Sequence, residues 1–114
     1  MARVVAFVPD LLFGSQVIGV LEAAGHDAVL VSDPSRLEEE APGSDVLVVD
    51  LTADAYERIG LVKAADLDGA KTLAFYSHVE ADVRARAQAA GFTQVVPRSR
   101  MAREGAALVE KLAP

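Results

Sequence analysis

Five short apolar runs, at residues 4–8, 28–31, 46–49, 73–76 and 95–96, constrain this chain more than any other feature. Most are rich in β-branched residues, and their apolarity is continuous rather than alternating. A strand with one wet face alternates, whereas a strand that is apolar throughout is covered on both faces, as in a parallel sheet between two layers of helices. The segments between the runs have helical spacing. Phe13, Val17, Val20, Leu21 and Ala24 line one face before Gly25, and Val79, Val83, Ala87 and Ala90 line one before Gly91. Each glycine stands where a helix end needs positive φ. Ala55, Ile59 and Val62 repeat the period before the fourth run, and Leu108, Val109 and Leu112 do so after the fifth. Asp33, Pro34 and Ser35 start a short acidic helix that Ala41, Pro42, Gly43 and Ser44 end. Alternating strand and helix units with right-handed crossovers predict an α/β fold: a flavodoxin-like, doubly wound, five-stranded parallel sheet of order 2-1-3-4-5. A single domain over residues 1–114 is expected.

With 52% of residues apolar and 25% charged, the chain can bury one core and keep a hydrated shell. It has no cysteine, which excludes disulfides and thiolate metal sites, and its two histidines stand in dissimilar contexts that do not suggest a metal cluster. The first apolar run is interrupted by Pro9 and Asp10 and is too short for a signal segment or a membrane span. The expected compartment is therefore the cytoplasm, without membrane contact. The net charge of −6 is unevenly spread: residues 1–83 hold 15 acids against 5 Lys/Arg, and residues 84–114 hold 2 acids against 6 Lys/Arg. An acidic total disfavours nucleic acid, which is not an expected partner, although Arg84, Arg86, Arg98, Arg100 and Arg103 form a local basic exception.

In a sheet of this order the crevice opens beyond the carboxyl ends of strands 1 and 3, which points to Asp10 and Asp50. The stretch Asp45-Val-Leu-Val-Val-Asp50-Leu51 resembles the third strand of response-regulator receiver domains (CheY-like), with Asp50 at the phospho-acceptor position. Leu21-Glu22-Ala23-Ala24-Gly25-His26 is similar to the end of their first helix, and residues 73–99 to their fourth strand, fourth helix and fifth strand. The resemblance implies a signalling domain that takes a phosphoryl group on Asp50 with the help of Mg²⁺.

The departures from that pattern bear on function. Where receivers carry two acids at the end of strand 1, this chain has Val8 and Pro9, with Asp10 one step further on. A metal held only by Asp10, Asp50 and water would be bound weakly, since Mg²⁺ demands near-octahedral oxygen ligation. Phosphotransfer without that charge compensation would be slow. The switch Thr/Ser falls on Tyr76, with Ser77 beside it, and the lysine after strand 5 falls on Arg98. No resident cofactor is expected. The expectation is a stand-alone, divergent pseudo-receiver that is not an enzyme and acts through a protein partner or a homodimer. The contact face implied by the resemblance spans the fourth helix, fifth strand and fifth helix, with Arg84, Arg86, Arg100, Arg103 and Met101.

Two alternatives stand beside it. One is a working phospho-acceptor that uses Asp50 and Mg²⁺. The other is a small hydrolase with Ser77 as nucleophile and His78 as base near Asp10 and Asp50, although adjacent strand residues point to opposite faces and no Gly-x-Ser-x-Gly elbow occurs. No glycine-rich phosphate loop and no corrinoid-type Asp-x-His-x-x-Gly motif is found. Structural roles are also open: Asp10 as a helix cap, Asp50 as a cap of the following turn or a partner of Arg98, and His26 as a solvated helix end.

Overall fold

A computed structural model describes residues 2–113. The elements alternate as the apolar runs require: β1 Arg3–Phe7, α1 Leu11–Ala23, β2 Asp27–Val31, α2 Pro34–Glu40, a 3-10 turn Ala41–Gly43, β3 Val46–Asp50, α3 Ala55–Ala64, β4 Lys71–Tyr76, α4 Ala81–Ala89, β5 Gln94–Pro97 and α5 Arg98–Leu112. All neighbouring strands pair in parallel, in the order β2-β1-β3-β4-β5. The expected topology is the observed one.

Continuous apolarity has its reason in the two cores. Val46 and Val48 of β3 join Val4, Ala6 and Leu73 beneath α1 and α5, while Leu47 and Val49 join Val5, Phe7 and Ala74 beneath α2, α3 and α4. Each fully buried Val or Leu of this central strand contributes about 1.5–3 kcal/mol relative to an exposed side chain. Gly14 brings α1 close to the sheet: a Cβ there would lie 2.8 Å from Leu30 Cδ1 and 3.4 Å from the Val8 carbonyl oxygen.

Both helix-ending glycines form Schellman closures. Gly25, at φ 92°, donates to the Glu22 carbonyl, and His26 N–H donates to that of Leu21. Gly91, at φ 91°, donates to Gln88, and Phe92 to Ala87. The residue after such a glycine turns back against the helix. That corrects one expectation: His26 is buried, its Nδ1 accepts the Ala2 N–H at 3.1 Å, and its Nε2 faces Glu110 Oε1 at 3.7 Å. Three apolar assignments are corrected as well, that of Ala24 because it is the exposed C-cap of α1. Val79 precedes α4 and is 75% exposed, and Val20 is half-exposed beside a cleft between α1 and α5 instead of lying under the helix.

Helices α3 and α4 are tied across their outer surface. The Tyr56 hydroxyl donates to Asp82 Oδ2 at 2.5 Å, and the Arg86 guanidinium sits 4.3 Å from the centre of the Tyr56 ring. The tyrosine hydrogen bond is the chief cause holding the Asp82 carboxyl below its ordinary value of 3.8. A depressed carboxyl stabilises the fold above its unfolded value, and that contribution fades as pH falls through the folded value. In Tyr56→Phe the Asp82 titration, followed by carboxyl NMR, is therefore expected to move up towards 3.8. The stability difference from the parent should narrow in acid below that value, and an unmoved titration would remove the link.

Candidate functional site at the strand carboxyl ends

Asp50 closes β3 with 3% exposure. Its Oδ1 accepts the Thr52 N–H at 2.8 Å and the Thr52 hydroxyl at 2.5 Å. On the other side stands Arg58 of α3, whose Nη1 donates to the Asp50 main-chain oxygen at 2.9 Å and lies 3.7 Å from Oδ2. Arg58 Nη2 is 3.9 Å from Asp54 Oδ2. Asp50 thus caps the turn that follows it, and its cationic neighbour is Arg58 rather than Arg98.

Asp10 is the N-cap of α1. Its Oδ1 accepts from the N–H groups of Leu12 and Phe13, both at 3.1 Å, which satisfies two of the helix's free donors. Its Oδ2 is 3.9 Å from Arg98 Nη2. Arg98 lies 4.1 Å over the Phe13 ring, and Phe13 meets Phe75 at 5.1 Å between centroids. The arginine at the lysine position therefore belongs to the α1 end of the site. Replacing Asp10 by alanine is expected to cost about 1 kcal/mol through the lost cap, with little added by the exposed ion pair. Urea unfolding reads this, and a loss indistinguishable from zero would contradict the capping role.

The residues expected to hold a metal do not fit one. Val8 is buried beneath α1 and carries no donor, Pro9 offers no side-chain oxygen, and Asp10 and Asp50 each give Oδ1 to the chain's own N–H or hydroxyl groups while Oδ2 faces an arginine, Arg98 at 3.9 Å and Arg58 at 3.7 Å. Among the described residues no three His, Cys, Asp or Glu side chains gather as a metal site. Tyr76 is buried in the core under α3 and α4. Ser77 lies just past the end of β4 and opens with Phe13, Thr52, His78, Arg98, Ser99 and Ala102 onto a groove of about 530 Å³. Ser77 and His78 line the same groove because both lie beyond the strand, where side chains no longer alternate. Neither Asp10 nor Asp50 lines it, and among the described residues no hydrogen bond joins Ser77 to His78.

The arginine-rich face is arranged differently from the expected one. Arg84 is exposed on α4, Arg86 turns to Tyr56, and Arg100 and Arg103 both approach Glu104, at 3.5 Å and 3.6 Å. Met101 is 2% exposed and packs in the core beside α1, because α5 turns that side of its helix towards the sheet. It is a core residue and is not available as a surface contact.

No family model and no curated protein matches the sequence. Solved structures do match the fold. A response regulator from Thermotoga maritima is similar over 96% of this chain and 95% of its own, at 16% identity and a TM-score of 0.78. The fold is that of a receiver domain. The Vibrio cholerae chemotaxis protein CheY4 matches over 98% of both chains at 17% identity and a TM-score of 0.81. The receiver domain of Francisella response regulator 1452 matches over 98% of this chain and 96% of its own, at 15% identity and the same TM-score of 0.81. Within this receiver-like fold the missed residue is Arg58. Its signal was the Asp54–Arg58 spacing of four, directly after the strand that ends in Asp50. No described helix is long and apolar enough to cross a membrane.

Proposed function

We propose that this receiver-like domain is a signalling module that acts by protein contact, with Asp50 serving the fold rather than phosphoryl transfer. The observation that carries this reading is the placement of Asp50: Oδ1 holds Thr52 and Oδ2 faces Arg58, while Val8 and Pro9 follow the end of the neighbouring strand β1. A phosphoryl acceptor needs a carboxylate oxygen free to attack and a cation free to follow the developing charge. Here Oδ1 is held by Thr52, Oδ2 faces the Arg58 guanidinium at 3.7 Å, and that cation is anchored on the Asp50 main-chain oxygen. Its partner-binding surface is the flank of β5, where Arg84 on α4 and Arg100 and Arg103 on α5 present positive charge on an otherwise acidic protein. The partner is a protein with an acidic surface, or the acidic region of a second copy.

The test is incubation with acetyl phosphate and Mg²⁺, followed by intact mass, on the parent and on Asp50→Ala. No adduct in either is the expected result. A Mg²⁺-dependent adduct on the parent that disappears in Asp50→Ala would instead establish a working phospho-acceptor.

A further inference from the structure

A buried carboxylate needs a compensating cation and hydrogen-bond donors. Asp50 finds its cation within the chain. Arg58 leaves α3 one turn after the helix begins, and its side chain is 11% exposed. Its guanidinium joins three groups: the main-chain oxygen that ends β3, the Asp50 carboxylate and, at 3.9 Å, the carboxylate of Asp54. Asp54 is the left-handed residue, at φ 50°, that opens α3. Between these anchors Thr52 closes the loop on Asp50 Oδ1 through both its N–H and its hydroxyl. A flat, permanently charged fork can serve a carbonyl and two carboxylates at once, which a compact ammonium cannot.

We infer that Arg58 is a positioning residue that acts as the resident counter-cation of Asp50 and holds residues 51–54 in one arrangement without metal or phosphate. The inference rests on the reading that Asp50 serves the fold. It adds a consequence for signalling, because the loop that follows the phospho-acceptor position is here held at both ends.

A double-mutant cycle tests it, with Asp50→Asn, Arg58→Met and the pair compared by urea unfolding. Amide exchange and NMR shifts of residues 51–54 are recorded with and without millimolar Mg²⁺. Each single change is expected to lower the folding equilibrium constant, and the pair should be better than the sum of the singles by on the order of tenfold or more. The parent's loop amides should be protected and indifferent to Mg²⁺. Additive single effects would overturn the role of Arg58, as would saturable Mg²⁺ shifts at 51–54 that Asp50→Asn abolishes. If a single variant does not fold, Arg58→Lys serves, since it keeps the charge and loses the fork. Faster exchange at 51–54 is then expected, and parental protection would overturn the inference. The acetyl phosphate adduct reports on the functional reading and the cycle on Arg58, so either can fail without the other.

Discussion

Truncating Phe75 to alanine is expected to destabilise the fold by about 3–5 kcal/mol, which lowers the melting temperature by roughly 10 °C or more. Phe75 is fully buried on β4, paired in register with Asp50 on β3. Its ring meets Phe13 at an interplanar angle of 59°, and Phe13 in turn carries the Arg98 guanidinium. The loss thus has two parts: the transfer and cavity terms of the missing ring, and the unseating of the aromatic platform at the α1 end of the site. Guanidinium unfolding gives the first, and amide shifts at Arg98 and Asp10 give the second. A loss below about 1 kcal/mol would mean that the α1 side of the sheet repacks, contrary to a core in which this ring is fixed.

The architecture was legible because burial on both faces writes a sheet directly into the sequence. Val46 to Val49 can only be a covered strand, and Gly25 and Gly91 mark helix ends that the Schellman bonds realise. Errors arose where a local pattern continued past its element. Val79 keeps the period of α4 but stands before the helix starts, so it gains none of its shelter. Met101, set among arginines, suggested a surface, yet a helix turns a residue inward according to its angle and not its neighbours in sequence. His26 follows a helix-ending glycine, and the same closure that exposes the glycine folds the next residue inward. The site was legible in its acids and illegible in its cation. Arg98, which follows strand 5, was one partner open to Asp50, but it is drawn to Asp10 and to the Phe13 face. Arg58 carries no strand-end signal. On a helix with Glu57 and Lys63 it reads as a solvated charge, and only the left-handed turn at Asp54 aims it back at Asp50.

That arrangement reverses the usual expectation for a functional acid. Acids kept for chemistry tend to sit in strained or poorly compensated positions, so their removal is neutral or stabilising. For Asp50 the opposite sign is expected: Asp50→Ala should lose about 2–4 kcal/mol. One part is the charge-assisted hydrogen bonding to Thr52, and the other is the cost of leaving Arg58 largely buried without the Oδ2 partner. Asp50→Asn separates the two, since an amide oxygen can still accept from Thr52 but brings no charge to Arg58, and it should fall between the parent and the alanine variant. Urea midpoints of the three proteins decide the matter. Should Asp50→Ala match or exceed the parent in stability, Asp50 would be an uncompensated acid maintained for reactivity, and the pocket would have to be regarded as a phospho-acceptor awaiting its cation. A marked loss, graded through asparagine, would place the carboxylate among the groups that build the β3 to α3 loop.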